Sequence, residues 1–206
     1  MLLGSASIVI GYLLGSFPAA YLIAKYRKGI DIREVGVRNM GAGNVMQEVG
    51  IWEGAVVVVA DIGKGSAAIF IAQMLSVSQP WLLVAGLAAI LGHNFPVYIG
   101  FRGGKGVATL IGVFLVLSPV VMGITLPIIG IALLFTRHIF TSIAIAAPFF
   151  LAALWQVEKS PILLFYALGI VLFVLFRSRH RLKEVKTITA RTVREIKAIT
   201  SRAKEQ

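Results

Sequence analysis

Two stretches of this chain have residue types and spacings suited to holding negative charge. The first is Gly36-Val37-Arg38-Asn39-Met40-Gly41-Ala42-Gly43-Asn44, preceded by Asp31, Arg33 and Glu34. Glycines expose backbone N–H groups and admit positive φ, and asparagine amides add donors, so such a run can wrap a phosphate. Asn39, Gly41 and Asn44 are the candidate contacts and Arg38 the candidate cation, although a tight turn with no ligand would use the same residues. The second stretch is Gly92-His93-Asn94-Phe95-Pro96, followed by Phe101-Arg102-Gly103-Gly104-Lys105-Gly106 at the start of an apolar run. Arg102 and Lys105 on a flexible backbone, beside the amides of a helix N-terminus, make an anion site. It is not a nucleotide-binding P-loop: Ile99 stands where the first glycine belongs, and Gly106 replaces the hydroxyl residue that would hold magnesium.

Asp61 and Lys64 lie three apart, on one face of a helix. In an apolar segment such groups face a bundle interior, a wet cavity or one another. An internal ion pair that positions the helix beside the site is favoured over direct contact with a ligand. The three histidines, His93, His138 and His180, show no metal-ligand spacing, and the chain has no cysteine, so neither metal nor thiolate chemistry is expected. No cofactor is expected either.

The elements that carry these residues are apolar. Of 206 residues 58% are hydrophobic and 14% charged, and the mean hydropathy is +0.88, which excludes an ordinary soluble domain. The expected fold is an all-α polytopic membrane protein. Residues 2–24 carry no charge and end in Lys25, Arg27 and Lys28, the reverse of a cleaved signal peptide. Further spans are expected near 53–76, 80–96, 140–156 and 161–176, and the apolar segment 106–136 is either one overlong helix or two broken at Ser118-Pro119. Two helices give about seven spans and put nearly all basic loops on one face, as the positive-inside tendency requires. The N-terminus is then outside and the C-terminus cytoplasmic. Residues 1–177 form the membrane domain, and 178–206 a basic cytoplasmic tail. There Leu182, Val185, Ile188, Val193, Ile196 and Ile199 fit one face of an interfacial helix, a solvated tail being the alternative. The formal net charge of +11 is accounted for by orientation, so no nucleic-acid partner is expected.

At these residues the chain resembles the bacterial membrane acyltransferases that use acyl-phosphate to acylate glycerol 3-phosphate. The resemblance is carried by GSFPAAYLIAKYRKGIDIREVG at 15–36, the NxGAxNV frame at 39–45, DxxKG at 61–65 and GHNFPVYIGFRGGKGVAT at 92–109. It implies transfer of a fatty acyl group to the 1-hydroxyl of glycerol 3-phosphate, giving lysophosphatidic acid and phosphate at the bacterial inner membrane. Acyl-phosphate, glycerol 3-phosphate and membrane lipids are then the partners. It also implies that Lys105 and the amides of Gly103 and Gly104 hold phosphate, that Asn39 and Asn44 shape a second anion pocket, that His93 and Asn94 support the site, and that His180 is the family's C-terminal catalytic histidine.

The chain departs from the family pattern VGSGNxGATNVxR at Val37, Arg38, Gly43 and Gln47, losing a hydroxyl and a cation. Arg38 is the candidate replacement for that cation. In RHIFTSI, Phe140 stands at a serine position and displaces Thr141 and Ser142; after His180 and Arg181, Lys183 replaces an asparagine. These departures leave two readings open, an active acyltransferase with an altered pocket and a catalytically weakened member that binds lipid or a partner.

Overall fold

The computed structural model describes residues 1–178, all of whose regular structure is helical. His180 and the tail lie outside these residues. The first apolar segment is two helices, α1 (Leu2–Ser16) and α2 (Ala19–Lys28), because Pro18 has no N–H to continue the ladder. Lys25, Arg27 and Lys28 occupy the last turn of α2, where cations complement the exposed carbonyls, and Gly29 closes it at φ 70°. A short helix α3 (Ala42–Glu48) precedes the long α4 (Ile51–Met74). Helix α5 (Gln79–Asn94) follows, then a 3₁₀ turn at Val97–Ile99.

The segment 106–136 is broken at Ser118-Pro119, as the two-helix reading expects. It forms α6 (Val107–Leu117) and α7 (Pro119–Thr136). Helix α8 (Ile139–Glu158) and α9 (Pro161–Ser178) complete the described chain. Among the described residues six segments are long and apolar enough to cross a bilayer. With only 11 residues, α6 rises about 16 Å, roughly half a hydrocarbon core. It nevertheless runs between the two ends of the bundle. Gly106 lies against Asn94 at the C-terminal end of α5, whereas the Ser118 hydroxyl donates to the Glu158 carboxylate at the far end of α8. Gly4 packs on Trp81 near the start of α5, and Arg177 bonds Asn94 at its finish, so residues 4 and 177 occupy opposite ends.

Helix α1 packs along α5, α4 along α6, and α7 along α8. The first two pairs meet through small residues. Gly11 and Gly15 touch the carbonyls of Ala85 and Ala89, while Gly65 and Gly112 sit against the Thr109 and Ile62 carbonyls at the α4–α6 crossing. Without a hydrophobic drive between helices in lipid, such close approach maximises van der Waals contact. A second kind of packing fills the middle of α6–α9: Phe114 meets Phe150 edge to face at 4.9 Å, surrounded by Met122, Leu154 and Ile170. Val59, Phe70, Phe135, Phe149, Phe165 and Leu172 remain on the outside, an apolar exterior suited to lipid.

The crossing gives a direct test. Gly65→Ala places a methyl group into the Thr109 backbone and is expected to destabilise by about 1–3 kcal/mol. Gly123→Ala, which has open space around it, changes stability by less than about 1 kcal/mol. Thermal unfolding in lipid nanodiscs measures both; equal effects contradict the crossing.

Candidate phosphate-binding site

The two glycine-rich stretches meet at one end of the bundle. Loop 29–41 is built around Asn44, which is buried at the start of α3. Its amide nitrogen lies 2.8, 3.2 and 3.1 Å from the carbonyl oxygens of Ile32, Val35 and Asn39, and its side-chain oxygen accepts the Val37 N–H at 3.0 Å. One side chain therefore ties down four backbone groups that no helix satisfies. Asn44 consequently faces its own loop. Asn39 and Gly41 lie half-buried beside it, and Arg38 is exposed at φ 50°, a left-handed conformation that disfavours any residue with a Cβ. The family pattern has glycine there, the residue that adopts this conformation at least cost.

The second stretch folds back on the end of α5. Gly103 and Gly104 donate their amides to the Asn94 and His93 carbonyl oxygens at 3.1 and 3.0 Å. These amides, expected from the sequence to face phosphate, are engaged within the protein. The glycines serve close approach instead: a methyl group on Gly104 would collide with the His93 ring and come within 2.5 Å of the Met40 carbonyl oxygen. The first amides of α6, from Val107, have no partner inside the helix by its geometry, and half-buried Lys105 stands just before them.

Polar bonds hold the two loops together. Arg33 grips Asp31 with both Nε and Nη2, stacks over the Tyr21 ring at 5.0 Å, and extends Nη1 to the Ile99 carbonyl at 2.7 Å. The guanidinium bonded to Asp31 holds that carboxyl below the usual carboxylate range. At the surface Arg102 reaches Glu34 at 3.1 Å, so Arg102 ties loop to loop rather than facing inward.

Beneath the loops, Asp61 and Lys64 are buried and paired at 2.8 Å. Lys64 also donates to the Phe17 carbonyl at 3.1 Å, at the α1–α2 break, where the Ala19 N–H is that oxygen's other donor. His93 is buried beside them, with Nδ1 3.5 Å from the Asp61 carboxylate, longer than a good hydrogen bond. The pair thus sits level with the end of α5, beneath the recess where the two loops meet. Asn94, fully buried, donates to Ile90 and accepts from Arg177 Nε at 3.2 Å. Sequence reasoning missed Arg177. Its signal is a cation at the end of the last span, which reads equally as an orientation charge. Ser142, displaced from the family position, is buried with its hydroxyl between Thr136 and the His138 carbonyl. Among the described residues no group of three His, Cys, Asp or Glu side chains could hold a metal ion.

A narrow apolar cleft of about 40 Å³ begins at Val107 and runs down between α6, α7, α8 and α9, past Leu110, Met122, Phe150 and Val174. The recess above it is basic, glycine-lined and close to a helix N-terminus.

Such an arrangement defines a polytopic helical membrane protein with a cationic loop junction beside an apolar cleft. The sequence profile described as Glycerol-3-phosphate acyltransferase matches residues 5–188. The chain belongs to the glycerol-3-phosphate acyltransferase family. Among its relatives, the glycerol-3-phosphate acyltransferase of Geobacter sulfurreducens is 39% identical over 181 residues, covering 86% of this chain and 91% of the relative. That of Endomicrobium trichonymphae is 35% identical over 185 residues, covering 90% and 93%. The crystal structure of PlsY (YgiH), an integral membrane glycerol 3-phosphate acyltransferase, in its glycerol 3-phosphate form superposes with a TM-score of 0.83 at 33% identity, covering 89% of this chain and 92% of that one. Its lysophosphatidic acid form gives 0.80.

Asn44 carries the loop, and its replacement tests the account. Asn44→Asp sets a carboxylate against three carbonyl oxygens and is expected to cost at least about 2 kcal/mol in thermal unfolding. Asn39→Ala, whose side chain makes no hydrogen bond among the described residues, costs less than about 1 kcal/mol. An Asn44→Asp variant as stable as wild type contradicts the keystone role.

Proposed function

We propose that this protein transfers a fatty acyl group from acyl-phosphate to the 1-hydroxyl of glycerol 3-phosphate, giving lysophosphatidic acid and inorganic phosphate. The supporting observation is the continuity between the two halves of the site. Lys105 and the start of α6 border the loops, and two residues on, Val107 opens the apolar cleft. An acyl-phosphate has that shape, an anion joined through a carbonyl to an apolar chain.

The donor is already activated, so the protein needs no covalent acyl-enzyme. Its contribution is orientation and charge stabilisation. On this reading Lys105 and the first α6 amides hold the phosphate that departs, while Gly103 and Gly104 let the backbone come close. Loop 29–41, shaped by Asn44, presents Asn39, Gly41 and Arg38 to the glycerol 3-phosphate. His93, over the Asp61–Lys64 pair, and Asn94 maintain the recess. His180, beyond the described residues, is the remaining catalytic candidate. The hydroxyl attacks the carbonyl carbon, the tetrahedral oxyanion collapses, the acyl–phosphate bond breaks, and the hydroxyl proton leaves with phosphate.

We also assign the recess to the cytoplasmic face of the bacterial inner membrane, with about seven spans and the N-terminus outside. Lys25, Lys28, Arg33, Arg38, Arg102, Lys105 and Arg177 all belong to the recess end of the bundle, and cations favour the cytoplasmic side. Residues 1–177 are then the catalytic membrane domain and 178–206 a basic tail against the inner leaflet.

Protein in lipid vesicles, given labelled glycerol 3-phosphate and an acyl-phosphate, is expected to form lysophosphatidic acid, with Lys105→Ala slower by roughly a hundredfold. No product above the Lys105→Ala background overturns the reaction with this substrate pair and leaves lipid binding as the function.

A further inference from the structure

Arginines at the recess end differ in how their charge is balanced. Arg27 is paired with Glu53, Arg33 with Asp31 and Arg102 with Glu34. Arg38 and Arg137 are exposed to solvent. Arg177 is half-buried and has no carboxylate partner among the described residues. A guanidinium taken partly out of water without a counter-ion regains only part of its lost hydration from neutral groups, so its position favours a nearby anion.

Its orientation is fixed. Nε donates to the Asn94 side-chain oxygen at 3.2 Å, and the guanidinium lies over the Phe95 ring, 5.1 Å from its centroid. These two contacts set the plane of the fork and use one of its three nitrogens. Nη1 and Nη2 bond no described residue, which leaves the paired edge suited to two oxygens of one phosphate.

Its location is also fixed. Asn94 touches the glycine turn at both ends: its backbone oxygen accepts the Gly103 amide at 3.1 Å, and its side-chain nitrogen is 2.7 Å from where a Gly106 methyl group would stand. Lys105 lies between those glycines. Arg177, docked on Asn94, therefore borders the turn that carries Lys105. The chain has Gln47 where the family pattern has a cation, and α9 brings a guanidinium to the recess from another direction.

We propose that Arg177 is a substrate-binding residue that grips a phosphate monoester or acyl-phosphate group through Nη1 and Nη2, completing the cationic side of the recess from α9. This rests on the reading of the recess as a phosphate site. It makes the last span part of the active site as well as of the bundle. It also explains why a buried asparagine at the end of α5 keeps its oxygen turned to α9.

The test uses the full chain in lipid nanodiscs and inorganic phosphate as probe. Phosphate is expected to raise the melting temperature of wild type, and Arg177→Gln to need about tenfold more phosphate for half of that shift. Arg177→Lys, which keeps charge but not the fork, falls between. In steady state Arg177→Gln is expected to raise KM with kcat changed less than about twofold. If KM rises for glycerol 3-phosphate, Arg177 holds the acceptor; if for acyl-phosphate, the donor. A lower melting temperature with unchanged phosphate dependence and unchanged KM means that Arg177 only staples α9 to α5, and overturns the proposal; so does absence of any phosphate effect on wild type. Where Arg177→Gln does not fold, Arg177→Lys decides: phosphate dependence equal to wild type overturns the proposal, and a several-fold weaker one supports it. Phosphate binding without turnover in wild type rejects the acyl-transfer reading while leaving the assignment of Arg177 standing.

Discussion

The basic end of this molecule depends on one close contact, the approach of Gly104 to the His93 ring and the Met40 carbonyl. There is no room at that point for a Cβ. Because the contact exists, the loop after α5 and the loop before α3 share a wall, and groups distant in sequence face one recess. The Arg33 guanidinium secures the arrangement by bridging Asp31 to the Ile99 carbonyl across the same boundary. Glycine supplies the approach, and buried polar side chains supply the permanence.

Burying polar groups in an apolar bundle is costly unless each finds a partner, and the structure meets this by using helix breaks. The Phe17 carbonyl, turned out of the helix ladder at the α1–α2 break, receives Lys64 beside the Ala19 N–H, and the Lys64 charge is matched by Asp61. The end of α5 offers carbonyls to the turn that follows it, so the glycine loop serves as the cap of that helix. In both cases an irregularity that would be intolerable facing lipid is placed where another irregularity satisfies it. The recess is the sum of these mutual repairs, and the apolar cleft beside it is simply α6–α9 packed without filling every volume.

Much of this was legible in the sequence because its signals are local. Charge-free runs mark the spans, Pro18 and Pro119 mark breaks, and the spacing of Asp61 and Lys64 marks a shared helix face. The side-chain bonds between elements were less legible. The sequence suggests that Asn44 points at a ligand, yet a buried amide surrounded by loop carbonyls with lone pairs to spare is drawn to them first. Likewise the Gly103 and Gly104 amides look free until the end of α5 is seen to need donors. Arg102 looks like half of a cationic pair, but its partner is Glu34, 68 residues away in the chain. Spacing reports which residues share an element, whereas these bonds are set by which elements meet.

The central claim is that the two loops form one site. The chain contains no cysteine, so Glu34→Cys combined with Arg102→Cys gives a clean pair of reporters in place of a surface ion pair of 3.1 Å. Treated in lipid vesicles with a short bifunctional thiol reagent, the double variant should cross-link within one chain, and both single variants should label from the same side of the bilayer. Full labelling of each cysteine with no cross-link, or labelling from opposite sides, would contradict the account.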